Sequence, residues 1–104
     1  MAWILLIAAG LLEVVWAFTM KMSEGFTRPL YAAITLVAVV ASFVMLAWAM
    51  RSLPLGTAYP LWTGIGAVGS FLAGWWWLGE SASPLRIAAA VFIVAGLVMM
   101  KLAP

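Results

Sequence analysis

Apolar residues run along this chain in four long stretches separated by short polar breaks. Ala2 to Met20 is interrupted only by Glu13, and Pro29 to Met50 and Leu55 to Leu78 carry no formal charge. At about 1.5 Å per residue, about 20 helical residues cross a bilayer core about 30 Å thick, so each stretch predicts a membrane-spanning helix. A fourth charge-free run, Ile87 to Met100, is short for a span. Arg86 and Lys101 bracket it, and both side chains can snorkel to the interface, which extends that helix to 84–103. The pattern predicts an all-α membrane protein, a single four-helix transmembrane domain over residues 1–104 with spans at 2–20, 29–50, 55–78 and 84–103.

The breaks, Lys21 to Arg28, Arg51 to Pro54 and Gly79 to Ser83, leave no room for an extramembrane domain. Pro29, Pro54 and Pro84 sit at or beside helix starts, where a missing N–H costs little, and Gly25 and Gly79 act as breakers. The first helix lacks a basic leader, carries an acid in its centre and is followed by no small-residue cleavage site. It is therefore expected to stay in the mature protein rather than be removed as a signal.

Composition narrows the function. Hydrophobic residues make up 68% of the chain and charged ones 8%, against roughly a quarter charged in a soluble domain. The mean hydropathy is +1.22. With no Cys and no His, the usual ligands for zinc, iron–sulfur clusters and haem are missing, so no metal or cofactor is expected, nor thiol or imidazole chemistry. Five basic and three acidic side chains are too sparse for a nucleic-acid surface.

The charges also bear on orientation. Four spans put both termini on one side with Arg51 and Lys101, and Lys21, Arg28 and Arg86 on the other, which is almost no positive-inside bias. A chain so balanced can insert both ways, and one copy up plus one down makes an antiparallel pair. A single orientation set by other factors is the alternative reading.

Glu13 is the one ionisable residue well inside a span, about 10 Å from the Met20 end and about 16 Å from the Ala2 end. A charged carboxylate at that depth costs at least about 2.5 kcal/mol, so its retention points to use. The blander reading is a protonated Glu making one interhelical hydrogen bond. Ala9, Gly10, Trp16 and Ala17 share its helix face; small residues admit a neighbour, and the indole offers a π-face to a cation. A carboxylate that holds either a proton or a cation is the minimum machinery of proton/cation exchange.

The third stretch holds a second constellation. Pro60 frees the carbonyl of Gly56, and Gly64 with Gly66 weakens the next turn, so a bend is expected there, a hinge of Pro60, Gly64 and Gly66. Tyr59, Trp62, Thr63 and Gly66 fall along one face, while Gly66, Ser70 and Gly74 form a small-residue stripe. Trp62 lies too deep for an interfacial belt, whereas Trp3, Trp48 and Trp75 to Trp77 lie near span ends and fit one. Trp16 fits either a belt or a site. In the second span Ser42 and Thr35 are the hydroxyls near mid-depth, each able to bond Glu13 or its own helix's i−4 carbonyl. In the fourth, Ala89 and Gly96, seven apart, form a seam read as the dimer contact.

Ala-Gly-Leu-Leu-Glu-Val-Val-Trp-Ala at 9–17, Gly-Phe-Thr-Arg at 25–28, the run from Leu53 to Gly69, Gly-Glu-Ser-Ala-Ser-Pro at 79–84 and Lys101 together resemble the small multidrug resistance family. Glu-Val-Val-Trp at 13–16 and Trp-Thr-Gly-Ile-Gly at 62–66 are more similar to its guanidinium-exporter subtype than to the quaternary-ammonium branch, which usually lacks the tryptophan three residues after the glutamate. The resemblance covers essentially the whole chain. It implies a transporter rather than an enzyme: an antiparallel, dual-topology homodimer in the bacterial inner membrane that exports small cations in exchange for protons by alternating access. On that resemblance Glu13 is the shared proton and substrate site, Gly10, Trp16, Ser42, Tyr59 and Trp62 line it, Gly64 and Gly66 form the helix 3 kink, and Ala89 with Gly96 matches the dimer seam. Pro60, where the family commonly has a small residue, and the run Trp75 to Trp77 depart from the pattern.

Guanidinium suits these parts. It is planar and always charged, gives two parallel N–H bonds to one carboxylate, and stacks between aromatic faces that compensate for lost water. Substituted guanidinium or quaternary ammonium ions would need the carboxylate and an opening toward membrane lipid. Other readings of the same fold are a quaternary-ammonium multidrug exporter, a passive channel, a polyamine or lipid carrier, and a structural assembly subunit. A channel would conduct without proton movement, and an assembly subunit would survive Glu13→Gln.

The charge balance is testable. Two lysines added to the Arg51 connector should bring that connector to the cytoplasmic side in every chain, as read by reporter tags on either end. Transport should then fall unless an oppositely biased copy is co-expressed; full activity from the biased chain alone would contradict the antiparallel pair.

Overall fold

In the computed structural model, which describes residues 1–103, the chain forms four helices. They are α1 (Ala2–Met22), α2 (Pro29–Ala49), α3 (Leu55–Trp77) and α4 (Pro84–Leu102). The helices lie where the spans were expected, with ends moved by one or two residues. The largest move is in α1, where Lys21 and Met22 are helical and Ser23 closes the helix instead. The Ser23 N–H donates to Thr19 O at 2.9 Å, its hydroxyl donates to Met20 O at 2.6 Å, and the same oxygen accepts from the Phe26 N–H at 3.0 Å. The chain then reverses through three consecutive left-handed residues, Glu24, Gly25 and Phe26, with φ of 52°, 74° and 66°. Two of these carry a Cβ, a conformation that disfavours L-residues, so the turn relies on hydrogen bonds: Thr27 N–H and Arg28 N–H both donate to Ser23 O.

The other ends follow from local chemistry. Pro29 and Pro84 begin α2 and α4, where an N–H would be unpartnered in any case. Ser83 caps α4 by accepting from the Arg86 N–H at 3.3 Å. Lys21 and Lys101 occupy the last turns of α1 and α4, where a cation complements the helix dipole.

Three helices, α1, α2 and α4, are long and apolar enough to cross a membrane. The third expected span is long enough at 23 residues but less apolar, because Gly, Thr, Pro and Trp replace aliphatic residues. Packing accounts for the exchange. α3 buries more residues than any other helix, among them Ala58, Leu61, Trp62, Gly64 and Gly66, whereas α4 buries none. A helix flanked by protein on two sides needs less aliphatic surface than one that faces lipid.

α1 packs against both α2 and α3, and α3 packs in turn against α4. The core of α1, α2 and α3 centres on Leu6, Ala9, Leu46, Ala58, Leu61 and Trp62. α4 meets α1 only at one end, where the Lys101 ammonium lies 5.2 Å from the Trp3 ring centre. The result is a slab 44 × 35 × 16 Å. Its accessible surface is 6611 Å², against about 5,700 Å² for a compact soluble monomer of its mass.

Glycines set how closely the helices approach. A Cβ on Gly10 of α1 would lie 2.7 Å from Ile65 Cγ2 of α3, and one on Gly69 of α3 would meet Val14. Gly10→Ala should therefore push α1 from α3 and cost about 1–3 kcal/mol, read as a lower unfolding midpoint in detergent by far-UV circular dichroism. Gly56→Ala, where a Cβ meets nothing within 4 Å, should be neutral or stabilising. Equal behaviour of the two variants would contradict the close α1–α3 approach.

Candidate functional site

Glu13 points from α1 into α3. Its side chain occupies the space in front of Gly66, where a Cβ would collide with the carboxylate, so Gly66 is the socket that lets an acid lie between two helices. Oε1 is buried and has no hydrogen-bond partner. A buried carboxyl oxygen without a donor is costly, and its lone pairs are left open to a proton or a cation. The Trp16 indole nitrogen, one turn further along α1, is also buried and unpartnered. A belt tryptophan turns its N–H toward water or headgroups, whereas this one is turned inward beside the core.

The hydroxyls of α2 take other partners than Glu13. Ser42 Oγ donates to the Ala9 carbonyl of α1 at 2.7 Å and accepts from the Trp62 Nε1–H of α3 at 3.0 Å. One buried serine thus joins three helices, and both expected partners, Glu13 and its own i−4 carbonyl, are passed over. Thr35 does bond its own helix, donating to Tyr31 O at 2.7 Å, and its oxygen lies 2.7 Å from Thr19 Oγ1 of α1. With the Thr35 proton on Tyr31, Thr19 is the donor across that contact.

Trp62 is held from three sides. Ser42 fixes its N–H, Phe43 meets it edge-on with ring centres 5.6 Å apart, and Tyr59 tilts over it at 5.6 Å. Tyr59 itself is half exposed, on the open side of the cluster. The aromatic group is thus braced by its own neighbours.

The residues expected to form a hinge lie on an unbroken helix, since α3 continues through Pro60. Gly64 and Gly66 both permit close approach, but to different neighbours. A Cβ on Gly64 would strike Leu97 of α4, and one on Gly66 would strike Glu13 of α1. Ala89 is exposed, and a Cβ on Gly96 would meet nothing within 4 Å, so the α4 seam lies open in the single chain. Trp75, Trp76 and Trp77 are exposed at the end of α3, as an interfacial belt requires. Among the described residues no cluster of His, Cys, Asp or Glu could hold a metal ion.

Three participants had no clear signal in the sequence. The Ala9 carbonyl is a backbone group, Phe43 is one of many apolar residues on α2, and Thr19 sits near a span end. The position of Gly66 as a socket was foreshadowed by the small-residue stripe, although the stripe does not say which helix it admits.

Residues 1–93 match the family described as Small Multidrug Resistance protein. The chain is 56% identical over 102 residues to the Guanidinium exporter of Citrobacter freundii and to that of Salmonella typhimurium, covering 98% of this chain and 97% of each relative. The Guanidinium exporter of Escherichia coli strain K12 is 54% identical over the same length and coverage.

The Ser42 junction gives a direct test. Ser42→Ala removes the partner of both the Trp62 N–H and the Ala9 carbonyl and should cost about 1–3 kcal/mol, with a changed tryptophan emission as the indole loses its acceptor. Unchanged emission and stability would mean that these three helices are not joined through Ser42.

Proposed function

We propose, since this chain belongs to the small multidrug resistance family, that it exports guanidinium and related small cations in exchange for protons. In this reading all four helices form one transmembrane domain in the bacterial inner membrane, two chains pair antiparallel, and the pair opens alternately to either face. The observation that carries the reading is Glu13, a lone acid deep in an apolar helix with one buried oxygen unpartnered. Such a group takes a proton or a cation to complete its bonding, and one site serving both couples the two flows.

The surrounding residues suit that task. Once the proton leaves, the Trp16 N–H is a free donor for the carboxylate, and Trp62 with Tyr59 offers ring faces to a planar cation. Ser42 holds Trp62 in place, and Gly10 keeps α1 close to α3 beside the acid. The open seam at Ala89 and Gly96 supports α4 as the face on which a second chain packs. A slab 16 Å thin also favours a pathway shared between two chains.

Cations with an apolar tail are a compatible second substrate class. An apolar cleft of about 390 Å³ beside Glu13's helix, lined by Val14, Val15, Phe18, Ala73 and Trp77, has room for such a tail.

Glu13 decides the mechanism. Guanidinium added to lightly buffered protein in detergent should release protons, most where the empty carboxyl still holds its proton and less as pH rises. Glu13→Gln removes both the proton site and the counter-charge, so binding, transport and proton release should vanish together. Glu13→Asp keeps the charge on a shorter arm and should retain binding with slower exchange and a shifted pH midpoint. A Glu13→Gln protein that still concentrates guanidinium, or wild-type binding with no proton release between about pH 5 and about pH 9, would replace the antiporter with a channel or another coupling ion.

A further inference from the structure

Glu13, Ala17 and Lys21 follow one another at intervals of four on α1, and Gly66, Ser70 and Gly74 do the same on α3. Each trio therefore lies along one face of its helix. The two helices are packed together, and the odd-numbered helices of this up-and-down chain run in the same direction. The α3 row meets a carboxylate at both ends: Glu13 of α1 fills the space in front of Gly66, and Glu80, on the turn that follows α3, fills the space in front of Gly74. Glu80 reaches back because the chain turns through Gly79, at φ 70°, and the Glu80 N–H donates to the Gly74 carbonyl at 2.9 Å. Two carboxylates thus stand at either end of one row of α3, eight residues or about 12 Å apart.

The outer part of the groove is hollow. A cavity of about 200 Å³ is lined by Ala17, Lys21, Ser70, Gly74 and Glu80. At about 30 Å³ per water it holds several waters or a small planar cation. On the two rows, Ala17 and Ser70 alone stand between the carboxylates, and both border this cavity. Both side chains are small, and the Ser70 hydroxyl gives a polar contact one turn from Gly66.

We propose that the α1–α3 groove is the path by which the cation reaches Glu13, with Glu80 as a second, outer cation site at its mouth. The ligand is a guanidinium-type cation, because a carboxylate in a narrow groove accepts two parallel N–H donors from a planar ion. Lys21 lines the same mouth and carries a tethered ammonium that competes for Glu80. Its positive charge at the mouth opposes an arriving cation, which keeps Glu80 from holding the substrate. The proposal rests on the exporter reading; in an antiparallel pair, each membrane face would carry one such mouth.

The test is guanidinium transport in liposomes of neutral lipid, with the whole chain and single isosteric changes. Glu80→Gln should raise KM by about threefold or more at low salt, a larger effect than any fall in kcat, and the difference should shrink at high ionic strength as the attraction is screened. Lys21→Gln should move KM the other way. Guanidinium-induced proton release should persist in both variants because Glu13 is intact. Unchanged KM and salt dependence in Glu80→Gln would overturn the outer site, and should that variant not reconstitute, a KM in Lys21→Gln at or above wild type would do so. Absence of proton release from the wild-type protein would instead overturn the exporter reading on which the proposal rests.

Discussion

An acid enclosed by apolar helices must be given space, and the contact between Glu13 and Gly66 is how this chain gives it. The missing side chain at position 66 is the volume that the carboxylate occupies, so α1 and α3 approach closely at the one depth where a charge is carried. Much of the rest is arranged to support that contact. Gly10 and Gly69 bring the two helices together on either side of it, and Ser42 ties α1 to α3 through α2. The oxygen that remains without a partner is the position the proposed exchange uses.

The polar bonds inside the bundle share a pattern. Each spends a hydroxyl on holding helices rather than on the acid: Ser42 on Ala9 and Trp62, Thr35 on its own helix, and Thr19 on Thr35. In a low-dielectric interior such bonds are costly to break, which makes the scaffold stiff around a site that must stay chemically unsatisfied. Glu13 Oε1 and Trp16 Nε1 are the two buried side-chain polar atoms left without partners among the described residues, and they stand three residues apart. Local incompleteness within a satisfied frame is what separates a site from a structural acid.

Much of this was legible in the sequence, and the limits have physical causes. Charge-free runs of about 20 residues announce spans because a charged side chain in hydrocarbon is costly and that many helical residues cross the bilayer core. Glu13 was visible for the same reason, as a cost without an obvious return. The partner of Ser42 was not, since helical periodicity places a side chain on a face without saying which carbonyl lies opposite. The three-residue left-handed turn was hidden because Glu24 and Phe26 are residue types that seldom adopt it, and only the bonds around Ser23 and Thr27 make it hold. α3 and α4 traded expectations: the longer charge-free stretch belongs to the helix packed inside, and the shorter one to the helix left uncovered.

The two glycines Gly64 and Gly66 sit two residues apart on α3 yet touch opposite neighbours, Leu97 of α4 and Glu13 of α1. Since α4 is gripped by α3 and not by α1 or α2 along its length, α3 behaves as a shaft between two bodies. Any displacement of the acid by an arriving ion bears on the shaft within one turn of the place where it grips the outer helix. In the proposed exporter, torque would therefore be delivered over a few ångströms, with no need for a long relay through the bundle.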